Sequence, residues 1–182
     1  MRTLSLLKGS VPALAAAVMI SASAGLAFAD GGGGGGAGTS TPTCNEGWVY
    51  DQEKGVCVRE QSQIILPDRN LSDYAYALAK EGRYREALDT LARMQNPNTA
   101  EALNYKGYAT RKLGRIEEGI GYYLQSVKLD ANYTQVREYL GEAYIQLGRL
   151  DLAREQLGEI GNRCGASCEN YQQLEQAIDA AL

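Results

Sequence analysis

No histidine occurs anywhere in the 182 residues. Without imidazole, every mechanism that needs histidine as a base or metal ligand is excluded. The sequence also lacks a long apolar run. Its longest, from Val11 to Ile20, is shorter than the roughly 20 residues a membrane-spanning helix requires. A basic surplus is missing too, with 18 Lys and Arg against 22 Asp and Glu. That balance argues against nucleic acid or an anionic membrane surface as the main partner. No nucleophile–base pair is visible. The six-glycine run at 31–36 lacks the Gly-Lys-Ser/Thr ending of a phosphate cradle. Adjacent carboxylates such as Glu117 and Glu118 read as the solvated outer face of a helix. No catalytic residue, cofactor or metal ligand set is expected.

What is present begins with a targeting signal. Arg2 and Lys8 form a basic start, the apolar run follows, and small residues lead to Ala27-Phe28-Ala29. This is the form of a secretory signal peptide over residues 1–29, cleaved between Ala29 and Asp30. No Cys follows the cut, so no lipid anchor is expected. The reading is a periplasmic or secreted protein with no stable membrane insertion. Removing the signal leaves 16 basic and 22 acidic residues, a formal charge of −6. Four Cys in an exported chain favour two disulfides over free thiols.

Residues 30–43 are glycine-rich and expected to be a disordered linker, because glycine has the most backbone freedom to lose. Residues 44–58, CNEGWVYDQEKGVCV, read as a β-hairpin: Trp48-Val49-Tyr50, a polar turn through Gly55, then Val56-Cys57-Val58. An isolated hairpin is marginal in water. A Cys44–Cys57 bridge would add roughly 3 kcal/mol by loop entropy. The segment is similar to short Cys-bounded hairpins near the start of bacterial exported proteins. Two readings stand, a covalent clasp without a ligand, or a docking knob offering Trp48 and Tyr50 to a partner or glycan. Residues 59–67 form a linker, with Ile64-Ile65-Leu66 placed to pack on the first helix.

From residue 68 a frame recurs. Gly82, Gly114 and Gly148 each stand in Gly-Arg-(Tyr/Ile/Leu), between two amphipathic stretches. A period near 33 marks stacked repeats. The expected helices are Leu71–Lys80 with Asn70 as N-cap, Tyr84–Gln95, a pair within 100–133 joined by Leu113-Gly114-Arg115, Gln135–Leu147 and Leu150–Ile160. Asn98 to Glu101 has the form of a capping box. A last amphipathic helix over 169–181, with Ser167 as N-cap, would cover the exposed end of the stack.

Leu71, Tyr74, Ala75, Leu78, Gly82, Tyr84 and Ala87, with their counterparts Leu103, Gly107, Gly114, Gly119, Tyr123 and Leu140, Gly141, Tyr144, Gly148, Ala153, carry a resemblance to the tetratricopeptide repeat (TPR) family. As a whole the region resembles small exported repeat proteins of Gram-negative bacteria. The implied fold is all-α, a short superhelix of three helical hairpins (about 68–97, 100–133 and 134–167) plus a capping helix over 168–182, behind the disulfide-closed β-hairpin. The departures at Lys106, Thr110 and Gly119 suggest looser packing in the middle repeat.

The resemblance further implies a concave groove lined by the first helix of each pair. It assigns Arg69, Ser72, Tyr76, Ala79 and Lys80 to that groove, then Glu101, Asn104, Tyr108, Arg111 and Lys112, then Gln135, Glu138, Glu142, Ile145 and Gln146. The peptide-binding candidates are Tyr76, Lys80, Asn104, Tyr108, Arg111, Lys112, Glu138 and Glu142. Tyrosine, arginine and asparagine suit an extended peptide, and the basic set Lys80, Arg111 and Lys112 suits an acidic or C-terminal carboxylate one. For Cys164 and Cys168, a local disulfide, a redox pair and a metal site are three open readings, the first preferred because Gly-Ala-Ser allows a tight turn. The function expected is a non-catalytic scaffold for a protein or peptide partner. The alternative is an envelope redox or glycan-associated factor using Cys164/Cys168 or the Trp48 hairpin.

Overall fold

The computed structural model describes residues 41–60 and 65–182. The expected signal peptide, most of the glycine-rich linker and the centre of the 59–67 linker lie outside them. Strands β1 (Trp48–Asp51) and β2 (Val56–Arg59) pair antiparallel. Seven helices follow: α1 (Asp68–Lys80), α2 (Tyr84–Ala92), α3 (Ala100–Lys112), α4 (Ile116–Leu129), α5 (Thr134–Gln146), α6 (Leu150–Cys164) and α7 (Glu169–Asp179). They form three helical hairpins and a terminal helix. Helix α3 packs between α1 and α5, and α5 packs on α7.

The first helix of each hairpin ends in the same way. Gly82, Gly114 and Gly148 have φ of 80°, 85° and 70°, values that favour glycine because a Cβ is strained there. In the first hairpin the Gly82 N–H donates to Ala79 C=O at 3.1 Å and Arg83 N–H to Leu78 C=O at 2.9 Å. The same two bonds recur at Gly114/Arg115 and Gly148/Arg149. This double closure satisfies the orphan carbonyls and reverses the chain in three residues.

The middle hairpin is tightly crossed, contrary to the looser packing expected from its departures. A Cβ at Gly107 would lie 2.6 Å from the Tyr123 ring, and one at Gly119 would lie 2.9 Å from the Gly107 carbonyl. The two glycines therefore let α3 and α4 approach until backbone meets backbone. Thr110 is fully buried at that crossing. Gly141 plays a different part from its counterpart. A Cβ there would meet Leu174 of α7 at 2.6 Å, so it makes room for the terminal helix, not for a crossing within its own hairpin.

The β-hairpin is bolted to α1. The Tyr74 hydroxyl donates to Trp48 C=O and accepts from Cys44 N–H, both at 3.0 Å. Asn70 Nδ2 donates to Tyr50 C=O at 2.9 Å, and its Oδ1 accepts from Gln52 N–H at 3.3 Å. Arg83 donates to Cys44 C=O at 2.7 Å and forks onto Glu86. Asn70 is therefore not the N-cap. Helix α1 starts three residues earlier than expected, at Asp68 after Pro67, and Asn70 is spent inside it on the strand. The Cys44–Cys57 disulfide closes the hairpin. Val49 is fully buried, Tyr50 is half-buried against the core, and Trp48 keeps 37% exposure with Arg59 over its ring. Of the apolar linker run, Ile64 lies outside the described residues, Ile65 is exposed and Leu66 is buried.

Other ends differ from expectation for local reasons. Helix α2 stops at Ala92 because the Asp68 carboxylate takes the N–H groups of Gln95 and Asn96 at 2.7 and 2.8 Å, turning the chain away. Thr99, not Asn98, caps α3 by accepting from Ala102 N–H at 3.1 Å. Cys168, not Ser167, precedes α7, and its side chain is committed to Cys164. Arg137 stands at a position where the repeat pattern has a large apolar residue. It is buried, donating to Ala131 C=O and to Gln156.

Candidate functional site: the inner face of α1, α3 and α5

The first helices present a continuous tyrosine floor. Tyr76 of α1 stacks on Tyr105 of α3 with ring centroids 4.6 Å apart. Tyr108 of α3 tilts against Tyr139 of α5 at 5.1 Å and meets Tyr84 edge-on at 6.4 Å. Tyr139 also contacts Tyr123 at 6.4 Å. Offset and edge geometries of this kind suit the ring quadrupoles and hold the floor rigid. Burial pushes the phenols of Tyr105, Tyr133 and Tyr139 above their ordinary value of 10. They act as neutral hydrogen-bonding groups at physiological pH.

Three cations converge on one ring. Lys112 Nζ lies 5.4 Å from the Tyr108 centroid, and Lys80 Nζ and Arg111 Cζ lie 5.8 Å from it. The basic set read from the sequence is thus one cluster, gathered from the C-terminal ends of α1 and α3. Helix C-termini favour positive charge, which explains its placement.

Arg111 is 3% exposed. Its guanidinium donates to Glu142 at 2.6 Å and to the Tyr123 hydroxyl at 3.3 Å. Burial alone would lower its pKa, but Tyr123 and Glu142 outweigh burial and raise it. Asn104 is fully buried. It donates to the Tyr133 hydroxyl at 3.0 Å and to Gln135 at 3.4 Å. Glu138 is also buried and accepts from Asn170 of α7 at 2.5 Å, while Asn170 accepts from Thr134 at 2.7 Å.

The eight candidates therefore divide by depth. Asn104, Tyr108, Arg111 and Glu138 lie beneath the surface, joining one first helix to the next. Tyr76, Lys112 and Glu142 are half-buried and Lys80 is exposed; these four form the accessible part. Sequence reasoning missed Tyr133 and Tyr139 as members of the face. A signal existed for Tyr139, which stands 34 residues after Tyr105 at the same place in the repeat. Tyr133 lies between helices, where repeat position says little about direction.

Both predicted cysteine pairs are bonded, Cys44 to Cys57 and Cys164 to Cys168. Among the described residues no group of three His, Cys, Asp or Glu side chains converges as a metal ligand set. No helix among them is long and apolar enough to cross a membrane.

The tetratricopeptide repeat family model matches residues 73–134 and 111–161. Among solved structures, MamA superposes with a TM-score of 0.53 at 19% identity, over 62% of this chain and 67% of that one. PcrH, in complex with the chaperone binding region of PopB, gives a TM-score of 0.52 at 20% identity, over 69% and 100% of the two chains. The type III secretion chaperone SycD of Yersinia enterocolitica, in complex with a peptide of the translocator YopD, gives 0.51 at 17% identity, over 63% and 88%. No curated protein sequence matches the chain. The glycine-closed first helices, their stacking and the family match agree, and the chain belongs to the tetratricopeptide repeat family.

Proposed function

We propose that this protein is a non-catalytic interaction scaffold that holds an extended peptide segment of a protein partner against the inner face of α1, α3 and α5. The observation that carries this reading is the pre-organised floor beneath accessible Tyr76, Lys80, Lys112 and Glu142. Rings and charges fixed before binding lower the ordering cost of association. The cluster of Lys80, Arg111 and Lys112 around Tyr108, in which Glu142 pairs with Arg111, favours an acidic or carboxylate-terminated segment. Two structural neighbours, PcrH and SycD, are seen holding peptides of other proteins. This chain shares their fold, which supports the same use of it.

The site of action we propose is the periplasm or the exterior. The signal-like residues 1–29 and two formed disulfides support export. Chemical crosslinking in producing cells, followed by recovery of the protein, tests the binding reading. Tyr76→Ala and Lys112→Glu should each lose the crosslinked partner while the helix content stays unchanged. Undiminished capture by both variants would refute it.

A second reading, an envelope redox or glycan-associated factor, is favoured by the exposure of Cys164 and of the Trp48 ring. Intact mass after mild reduction and alkylation separates the two. Unmodified protein supports the scaffold, and ready labelling at Cys164 and Cys168 supports the redox factor.

A further inference from the structure

The basic cluster sits at one end of the first helices. At the opposite end, between the starts of α1 and α3, a recess of about 330 Å³ opens. Pockets for small groups run from roughly 300 to 1,000 Å³, so its size suits a side chain and not a folded element. Three carboxylates line it, Asp68, Asp73 and Glu101. Each is held by a neutral donor. Asp68 accepts from two backbone N–H groups, Glu101 from the Tyr105 hydroxyl at 3.2 Å, and Asp73 from Gln52 Nε2 at 3.3 Å. These bonds fix the carboxylates without cancelling their charge. The one cation of the lining, Arg69, is 89% exposed and reaches Asp73 only at 4.0 Å. So exposed a contact is weak, and the lining keeps a net negative charge.

A second feature points to a ligand. Ser72 is 1% exposed and lines the recess, and its hydroxyl has no hydrogen-bond partner. Buried polar groups are nearly always satisfied, and an exception at the wall of a recess is one that a bound polar group can satisfy. Met94 adds a buried apolar wall. An apolar wall for a methylene stem, carboxylates for a cationic head and an unused hydroxyl together describe a site for lysine or arginine. An inorganic cation fits poorly, because the carboxylates do not converge as a ligand set.

We infer that this recess takes a cationic side chain of the partner peptide. The inference rests on the scaffold reading and specifies its ligand. Ser72 and Lys80 are eight residues apart on α1, roughly 12 Å at 1.5 Å per residue. An extended chain covers that in about four residues. The partner segment should therefore carry a basic residue about four positions from its acidic or carboxylate end, a charge order that also sets its direction across the face. The Glu101–Tyr105–Tyr76 contacts connect the recess to the tyrosine floor.

The test uses the full chain, labelled with nitrogen-15 and titrated with Nα-acetyl-arginine amide, with the corresponding glutamate and alanine amides as controls. Saturable amide shifts at Ser72, Met94 and Thr99 are expected with the arginine probe alone. Glu101→Gln, at an exposed position, should weaken that binding about threefold without altering helicity. An absence of saturable shifts at the recess would overturn the inference, as would equal shifts with the alanine amide or an unchanged affinity in both Glu101→Gln and Asp73→Asn. The probe is a single amino acid, so its failure leaves capture of a partner by Tyr76 and Lys112 to be judged separately.

Discussion

The two ends of the helical stack are closed with different materials. At the first end, a β-hairpin docks through polar contacts: Tyr74 and Asn70 bond successive outward carbonyls of β1, and Arg83 holds the chain at Cys44. At the last end, α7 continues the stacking of the helices, with fully buried Leu174 seated over Gly141 and Ile178 beside it. Each end carries a disulfide, but one spans 13 residues and the other 4. The contrast shows that a solenoid end needs cover and not a particular element. A helix covers with apolar area; a strand brings unsatisfied backbone, so the helix beneath it must supply side-chain donors and acceptors.

The helical end should be the more sensitive to a core deletion. Leu174→Ala removes a fully buried side chain that Gly141 was shaped to receive, and should cost about 3–5 kcal/mol in urea unfolding. A loss near zero would mean that α7 is not part of the cooperative unit.

The disulfides sharpen the comparison. Loop entropy assigns about 3 kcal/mol to the Cys44–Cys57 closure and about 2 kcal/mol to the short Cys164–Cys168 one. The double variants Cys44→Ser/Cys57→Ser and Cys164→Ser/Cys168→Ser should fall in that order in chemical denaturation. The reverse order would show that the hairpin is held by its docking bonds and hardly by its bridge.

Those docking bonds are testable alone. Tyr74→Phe strips a donor from Trp48 C=O and an acceptor from Cys44 N–H, at a cost of about 1–3 kcal/mol. Because Trp48 is the only tryptophan, its emission should report loosening of the hairpin before helix content changes. Simultaneous loss of both signals would make the hairpin and the helices one unit.

Acid should act at the same end, with the smallest effect. Asp51 is held below its ordinary 3.8 chiefly by the Lys54 hydrogen bond, and Glu86 below its ordinary 4.5 by Arg83. A carboxyl depressed by folding contributes stability that is present above its ordinary value and lost as pH falls through the folded one. Trp48 emission should therefore be flat from neutral pH to about 4.5 and shift below it. A shift centred near pH 6 would point to other groups.

How much of this was legible depends on how far each feature reaches along the chain. The three glycine closures were readable because all their partners lie within six residues. Asn70 misled because a residue that caps well also bonds a distant strand well, and only the fold shows which use it serves. The early end of α2 depends on Asp68, 27 residues before Gln95. Repeat position put the candidates on the first helices, but it describes one helix at a time. Stacked helices bury what each alone would expose, which is why Asn104, Tyr108, Arg111 and Glu138 are floor and Tyr76, Lys80, Lys112 and Glu142 are surface. Likewise Gly119 looked like a gap in the pattern until Gly107 stood opposite it.

The most direct test of the inner face as a binding surface is site-specific photocrosslinking in cells that produce the full chain. A benzophenone amino acid would replace Tyr76 on the inner face in one variant, and Leu124, exposed on the outer helix α4, in the other. The scaffold reading predicts a discrete covalent adduct from Tyr76 and none from Leu124. An adduct from Leu124 alone would place the partner on the outer face and contradict it.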